Sequence, residues 1–160
     1  MSVPRKLITR SLPRLLSRAA FWRRRRQRLV FTNGVFDVLH AGHVQLLERA
    51  RRLGDRLVVG VNTDASVRRI KGPRRPLNAW NDRAAVLAAL ESVDAVVAFA
   101  EDTPARLIAA LRPDVLVKGA DYPSDRIAGT KDAGRVVRVR LKKGYSTTAL
   151  IREIMANNRR

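Results

Sequence analysis

The sequence is poor in the residue types that mark several protein classes. It has no cysteine, two histidines, two tryptophans, two tyrosines and four phenylalanines among 160 residues. The absence of cysteine excludes disulfides and thiolate metal sites and is compatible with a reducing compartment. No apolar run approaches the roughly 20 residues that span a bilayer, and residues 1–28 lack the apolar segment of a secretory signal. We predict a cytoplasmic protein that forms one domain with a real core, with no room for a second catalytic domain.

Acidic residues are also scarce, since 14 Asp and Glu face 33 Lys and Arg, for a net charge of +19. Residues 1–28 hold ten of these cations and no acid. Ile8, Leu12, Leu15 and Trp22 recur near helical spacing, which predicts an amphipathic helix with a basic face. We therefore divide the chain into a basic, helical N-terminal extension, 1–27, and a main domain, 28–158. We expect the apolar face to pack on the domain, and weak contact with an anionic membrane or nonspecific contact with nucleic acid is the alternative. The few aromatic residues argue against specific RNA binding.

Strand-like and helix-like segments alternate after the extension. The hydrophobic patterns predict strands at 28–31, 57–61, 95–99, 115–118 and 136–141, helices at 41–53, 82–90, 104–111 and 147–156, and a loop at 67–81. Repeated βα units with short connections indicate an α/β fold, a single Rossmann-like, doubly wound, parallel sheet of five strands with helices on both faces. In such sheets the ligand lies beyond the carboxyl ends of the strands.

The first strand-to-helix corner contains both histidines, His40 and His43, at the start of the helix. The first N–H groups of a helix have no partner within it, and the macrodipole adds positive potential, so phosphate is a natural ligand there. Gly34 and Gly42 let the backbone approach a bulky ligand closely. A metal pair and plain helix capping are the alternatives. With Asp37 as the one nearby carboxylate, and no cysteine or HExxH pattern, we predict no metal site.

The segment 31–43, Phe-Thr-Asn-Gly-Val-Phe-Asp-Val-Leu-His-Ala-Gly-His, resembles the signature of the HxGH nucleotidyltransferases. This superfamily includes glycerol-3-phosphate cytidylyltransferases and phosphopantetheine adenylyltransferases. Further segments, at 53–64, 71–73, 82–83, 112–122 and 144–148, are similar to the heptose 1-phosphate adenylyltransferases of ADP-heptose synthesis, and the likeness covers about residues 28–155. The resemblance implies transfer of AMP from ATP, with Mg²⁺, to D-glycero-β-D-manno-heptose 1-phosphate for lipopolysaccharide inner-core synthesis.

The resemblance also implies roles for individual residues. It gives His40, His43 and Lys71 catalytic roles and makes Asp37, Arg75 and Arg83 ligands of the sugar phosphate. The nucleotide-binding positions are Thr32, Asn33, Gly34, Val35, Phe36, Gly42, Lys118, Gly119, Asp121, Ser146, Thr147 and Thr148.

Each role has a plainer alternative. Ser146 to Thr148 could simply cap the last helix, the cations of the 71–75 segment could be solvated, and Arg83 could form a surface ion pair. Asp121 could be a structural loop residue. Asp37 could contact Mg²⁺, a substrate hydroxyl or a cation.

The sequence departs from its relatives at the end of the last strand. Glycerol-3-phosphate cytidylyltransferases have arginine where Leu141 stands, which argues against a cytidylyltransferase. Lys142 and Lys143 are more basic than the family pattern and could bind phosphate or be exposed. A cytidylyltransferase acting on a small phospho-alcohol such as glycerol 3-phosphate is the second hypothesis. An inactive, basic nucleic-acid-binding module is the third, and the intact motifs argue against it. We expect a homodimer that receives its substrate from a separate heptose kinase.

Overall fold

The computed structural model describes residues 6–120, 122–123, 126–140 and 146–157. The strands are β1 (Leu7–Thr9), β2 (Leu29–Gly34), β3 (Arg56–Asn62), β4 (Ala95–Phe99), β5 (Val115–Gly119) and β6 (Arg135–Val139). The helices are α1 (Leu12–Arg24), α2 (Ala41–Arg51), α3 (Asp64–Lys71), α4 (Trp80–Ala89), α5 (Ala105–Leu111) and α6 (Thr147–Asn157). No helix in this described part of the chain is long and apolar enough to span a membrane.

The sheet is parallel throughout, as predicted, but it has six strands in the order β1-β4-β3-β2-β5-β6. The predicted number of five was wrong because the N-terminal extension supplies an edge strand. Its residues Leu7–Thr9 pair in register with the first three residues of β4. A three-residue strand is too short to show a period of two, and its pairing partner lies far along the chain.

Side chains that alternate along the strands form two apolar layers, one on each face of the sheet. Val30 points into the layer under α2 and α4, whereas Phe31 points into the layer under α1 and α5. The same alternation separates Val59 from Val58 in β3. Because successive residues of a strand face opposite sides, these fully apolar strands are covered on both faces, as the sequence predicted.

Helix α1 belongs to the second of these layers. Ser11 caps its start, with the side chain accepting a hydrogen bond from the N–H of Arg14 at 3.4 Å. Leu15, Ala19 and Trp22 are buried against the same cluster that receives α5. The boundary proposed between residues 27 and 28 stays a prediction, but α1 contributes directly to the core.

Residues 64–71 form helix α3, so the predicted loop at 67–81 was wrong over its first part. Thr63 caps the helix by accepting a hydrogen bond from the N–H of Ser66 at 3.4 Å, and Asp64 lies in the first turn. Gly72, with a φ of 95°, ends it. These are ordinary start and stop residues, but only Ser66 and Val67 are buried, so the apolar face that would mark a helix in the sequence is very short. The helix places Lys71 at its carboxyl end.

The strand order reverses at β2. The chain proceeds from β2 to β3 and β4 on one side, and then returns to place β5 on the other side. In doubly wound sheets, ligands bind in the crevice beyond the carboxyl ends of the strands at such a reversal. The ends of β2 and β5 therefore mark the place to look for a site.

Candidate active site

A cleft of about 440 Å³ opens where β2 and β5 end. It brings together nine residues that the sequence analysis selected: Thr32, Asn33, Gly34, Val35, Phe36, His43, Lys71, Lys118 and Gly119. They come from β2, the corner after it, α2, the end of α3, and β5. Segments distant in the sequence thus converge at the predicted edge of the sheet.

The two histidines lie at the start of α2, with His40 at the N-cap and His43 three residues later. Their rings stack with centroids 3.8 Å apart. Nδ1 of His43 accepts a hydrogen bond from the backbone N–H of His40 at 3.4 Å. Since one nitrogen of a neutral imidazole accepts and the other donates, this contact leaves Nε2 of His43 as the N–H donor.

Burial favours the neutral form of both rings. It lowers the pKa of His43 to about 4, with the nearby positive charges of His40 and Lys71 adding to the effect. Burial also lowers the pKa of His40 below its ordinary value. At neutral pH His43 is therefore an uncharged hydrogen-bond donor. A bound polyphosphate would raise its pKa again, because a nearby anion favours the charged form.

Phe36 holds the corner in an unusual conformation. Its φ is +49°, a left-handed value that residues other than glycine rarely adopt. Its ring is buried and lies 5.1 Å from the ring of His43. A Cβ on Gly34 would lie 3.0 Å from the Phe36 ring, so the absence of a side chain at residue 34 allows this packing. Such conformations persist where the surrounding structure fixes them, and they are common at functional sites.

Lys118 is a second cation in the lining of the cleft, in addition to Lys71. Its Nζ donates a hydrogen bond to Oδ1 of Asn33 and lies 5.1 Å from the centroid of the Tyr122 ring. Burial lowers the pKa of Lys118 to about 8. Thr32 links β2 to β5, because its buried Oγ1 donates a hydrogen bond to the carbonyl of Val117 at 3.0 Å. Its hydroxyl is thus used in the fold.

The carboxylate of Asp37 is fully occupied by the protein. It accepts hydrogen bonds from the backbone N–H groups of Leu77 and Asn78, each at 2.9 Å, and from Nε of Arg75 at 2.7 Å. Burial acts to raise the pKa of Asp37, but the hydrogen bonds and the Arg75 charge outweigh it, and the pKa lies below its ordinary value. Of the three partners considered for Asp37, the structure places a cation beside it, and that cation is Arg75. Direct contact of either residue with the sugar phosphate stays a prediction.

Arg83 is also held inside the protein, with only 2% of its surface exposed. Its guanidinium donates to the carbonyls of Val35 at 2.6 Å, Asn62 at 2.9 Å and Asn78 at 3.0 Å, and to Oδ1 of Asp64 at 2.7 Å. A surface ion pair was the alternative for Arg83. The structure shows an ion pair with Asp64, but the Arg83 side chain lies in the interior. Contact between Arg83 and the acceptor phosphate stays a prediction.

The start of α6 lies beside the β2–α2 corner. Thr147 Oγ1 donates to the carbonyl of Val38 at 3.3 Å, and Ser146 Oγ accepts from the N–H of Ala149 at 3.0 Å. Ser146 is therefore a helix cap, whereas Thr148 is exposed. Gly42 is buried within α2.

Four residues discussed in the sequence analysis lie outside the described residues: Asp121, Leu141, Lys142 and Lys143.

The chain matches one protein-family model and is similar to several curated proteins. The cytidylyltransferase-like family model matches residues 31–154. The chain belongs to this family. It is 57% identical over 141 residues to the bifunctional protein HldE of Magnetococcus marinus, covering 86% of this chain and 29% of that protein. It is 52% identical over 141 residues to the protein of the same name from Escherichia coli O1:K1, covering 86% and 30%. The chain thus spans about three-tenths of the length of these curated relatives.

Two solved structures superimpose on much of this cytidylyltransferase-like chain. A lipopolysaccharide core biosynthesis protein from Thermoplasma volcanium superimposes with a TM-score of 0.63 at 29% identity, covering 73% of this chain and 99% of that one. A pantoate-beta-alanine ligase from Francisella tularensis, complexed with beta-gamma ATP and beta-alanine, superimposes with a TM-score of 0.60 at 14% identity, covering 87% and 68%. The second likeness shows the fold alone.

In this member of the family, the cleft also contains residues that the sequence analysis did not select. Asn62, Asp102, Thr103 and Tyr122 line it, and Ile70 lies beside Lys71. Asn62, Asp102, Thr103 and Tyr122 lie at or just beyond the carboxyl end of a strand, which is the available signal, because loops there line the crevice of a doubly wound sheet. Only the tertiary structure shows which of those loop residues point inward.

Proposed function

We propose that the chain is a nucleotidyltransferase that transfers AMP from ATP to D-glycero-β-D-manno-heptose 1-phosphate, giving ADP-heptose and pyrophosphate. One observation carries the proposal. His43, Lys71 and Lys118 line the cleft at the β2–β5 reversal, and His43 lies at the start of helix α2. Cations and N–H groups in that arrangement suit a nucleoside triphosphate. The family and the 50–58% identity to bifunctional HldE proteins support this reaction class.

In the proposed reaction, an oxygen of the sugar phosphate attacks the α-phosphorus of ATP, and the bond to the pyrophosphate oxygen breaks. A phosphate ester is already anionic at neutral pH, so the reaction does not require a strong general base. The contribution of the protein is to align the two phosphates and to offset charge as it moves onto pyrophosphate. His43 would donate its Nε2 N–H to the α-phosphate, with His40 beside it, while Lys71 and Lys118 neutralise the triphosphate.

Magnesium is proposed to arrive with ATP as part of the substrate. Among the residues that the structure describes, no group of three or more His, Asp or Glu side chains could hold a metal ion. The carboxylate nearest to the histidines in the sequence, Asp37, accepts hydrogen bonds from Arg75, Leu77 and Asn78. The phosphate oxygens of ATP are therefore the natural magnesium ligands here.

The test is pyrophosphate release by the purified chain with ATP or CTP, each offered with heptose 1-phosphate or glycerol 3-phosphate. We expect turnover with ATP and heptose 1-phosphate and little with CTP. Preference for CTP and glycerol 3-phosphate would establish the cytidylyltransferase hypothesis instead. Absence of pyrophosphate with every pair, in a folded protein, would favour the inactive binding module.

Three further expectations belong to this proposal. We expect a separate heptose kinase to supply the sugar 1-phosphate, and formation of ADP from heptose 7-phosphate by the pure chain would contradict this. We expect a homodimer, which sedimentation can test. A cytoplasmic location is supported by the proposed substrates, because ATP and sugar phosphates are cytoplasmic metabolites.

A further inference from the structure

One side of the molecule combines dense positive charge with exposed apolar side chains. Helix α1 buries Leu15, Ala19 and Trp22. The residues one position earlier, Arg14, Arg18 and Phe21, lie toward the solvent side of the helix. The residues at spacings of three and four on that side are basic or aromatic, and β1 extends the same surface. We call the set the basic α1/β1 surface: Lys6, Ile8, Arg14, Arg18, Phe21, Arg24 and Arg25.

Two adjoining grooves, of about 380 and 410 Å³, run along this surface and share Arg14 and Arg18 in their linings. Neither groove has a carboxylate among its described lining residues. Phe21 is 43% exposed and Ile8 is 42% exposed, both large apolar side chains on the same surface. The surface therefore presents cations and partly exposed apolar groups together, a combination that suits an anionic partner with an apolar interior.

The basic α1/β1 surface is separate from the cleft. Strand β1 forms the edge of the sheet, and β4 and β3 lie between it and β2. With neighbouring strands about 4.8 Å apart, β1 lies roughly 14 Å from the strand that begins the active-site corner. None of the seven surface residues lines the cleft. The inference therefore goes beyond the proposed function and holds whatever reaction the cleft performs.

We propose that the basic α1/β1 surface binds an anionic lipid bilayer, with Arg14, Arg18, Arg24 and Arg25 near the headgroups and Phe21 inserted between them. The core-facing residues of α1 are buried in the protein, so this is attachment through one side of a folded domain and not insertion of a free amphipathic helix. Attraction by cations near an anionic leaflet is worth roughly fivefold in affinity for each residue.

The chemistry of the surface favours lipid over nucleic acid. Binding of single-stranded nucleic acid depends on aromatic rings that stack with bases. Phe21 is the one aromatic side chain of this surface, and the guanidinium of Arg25 already lies 4.8 Å from its ring centroid. An exposed aliphatic side chain such as Ile8 gains little from contact with a polynucleotide. The boundary between lipid headgroups and acyl chains, in contrast, can bury such a side chain.

The test measures binding of the full chain to vesicles of phosphatidylcholine alone and of phosphatidylcholine with about one quarter phosphatidylglycerol. We expect binding only to the anionic vesicles, weakening as salt rises to about 0.5 M. Arg14→Glu/Arg24→Glu should lower the affinity at least about twentyfold. Arg52→Glu/Arg135→Glu, which changes the net charge equally at two exposed residues elsewhere, should lower it much less.

Phe21→Ser separates lipid from nucleic acid. We expect it to weaken vesicle binding about threefold or more and to leave binding to single-stranded poly(uridylic acid) unchanged. Pyrophosphate release with soluble substrates should be unaffected in Phe21→Ser and Arg14→Glu/Arg24→Glu, which checks folding and separates this inference from the proposed function.

Three results would overturn the inference. The first is vesicle binding that does not depend on phosphatidylglycerol. The second is an equal loss of vesicle affinity in the two charge-reversed proteins. The third is a Phe21→Ser protein whose vesicle affinity is unchanged and which binds the polynucleotide more tightly than the vesicles. The last result would assign the surface to nucleic acid.

Discussion

Asp37 and Arg75 form a salt bridge of 2.7 Å in which the Asp37 side chain is 1% exposed and the Arg75 side chain 19% exposed. The bridge joins the corner that contains the histidines to the segment between α3 and α4. A second bond returns across the same junction, because Nδ2 of Asn78 donates to the carbonyl of Asp37 at 2.6 Å. Arg83 then ties Asn78 to the carbonyl of Val35. The segment that follows Lys71 is thereby fixed against the start of α2.

We expect Asp37→Ala to lower the free energy of unfolding by about 2–4 kcal/mol, because it leaves Arg75 and two backbone N–H groups without their acceptor. Urea unfolding gives the value. Asp102→Ala is the control, since it breaks an exposed pair with Arg69 and should cost less than about 1 kcal/mol. Equal losses in the two variants would show that the Asp37 junction contributes no more than a surface ion pair.

Replacement of His43 by Ala should lower kcat at least about a hundredfold without unfolding the protein, which is the scale for loss of one aligned donor. The same loss is expected for His40→Ala. His43→Gln should retain more activity than His43→Asn, because the amide of Gln reaches the position of Nε2, and Nε2 carries the N–H. Circular dichroism checks the fold. Near-normal kcat in the Ala variants would leave only a capping role for these histidines.

Stability should fall as the pH is lowered from about 6.5 to about 4. In this window the unfolded chain binds a proton at His43, whereas the folded chain, with the pKa of His43 lowered to about 4, does not. The stability contributed by the neutral ring is therefore complete above the unfolded pKa and is lost toward the folded pKa, with a slope of up to about 1.4 kcal/mol per pH unit. In His43→Gln the slope measured by urea unfolding should decrease. An unchanged slope would contradict the assigned shift.

Activity should decline at alkaline pH through Lys118. With the pKa of Lys118 lowered to about 8, its charge is present below that pH and is lost above it. We expect kcat/KM for ATP to fall through pH 8, and the corresponding limb in kcat to lie at higher pH, because bound triphosphate favours the cation. Lys118→Arg should move the limb of kcat/KM to higher pH, since arginine stays charged. If the decline of kcat/KM stays at pH 8 in this variant, another titrating group causes it.

Trp22→Ala should lower the free energy of unfolding by about 3–5 kcal/mol, as expected when a large buried aromatic side chain is removed. The ring is 4% exposed and packs in the layer that contains Leu15 and Leu29. Phe21→Ala, one residue earlier on the solvent side of α1, is the matched control and should change stability by less than about 0.5 kcal/mol. If Trp22→Ala has as little effect as Phe21→Ala, α1 is not part of the stable core.

Local signals in the sequence determined the βα alternation, the parallel sheet, and the corner that contains His40 and His43. An apolar strand such as Ala95–Phe99 is readable because its apolar residues are contiguous, and the start of α2 is readable because its apolar residues recur at helical spacing. The alternation also places residues 32–36 and Lys118 at the same edge of the sheet, since parallel strands end at one edge. Their selection as site residues came from the family resemblance, and the strand order that makes β2 and β5 neighbours came from the structure.

Tertiary structure alone decided the rest, because it depends on contacts between residues far apart in the chain. The pairing of Leu7–Thr9 with β4 made the sixth strand, and no local pattern of three residues encodes a partner. The family resemblance makes Asp37 and Arg83 candidate ligands of the sugar phosphate, but it says nothing of their contacts within the protein. The structure shows that both side chains also have protein partners, since a charge removed from water must be paired within the structure. Burial is the main cause of the neutral state of His43, and it depends on how deeply the folded chain encloses the ring.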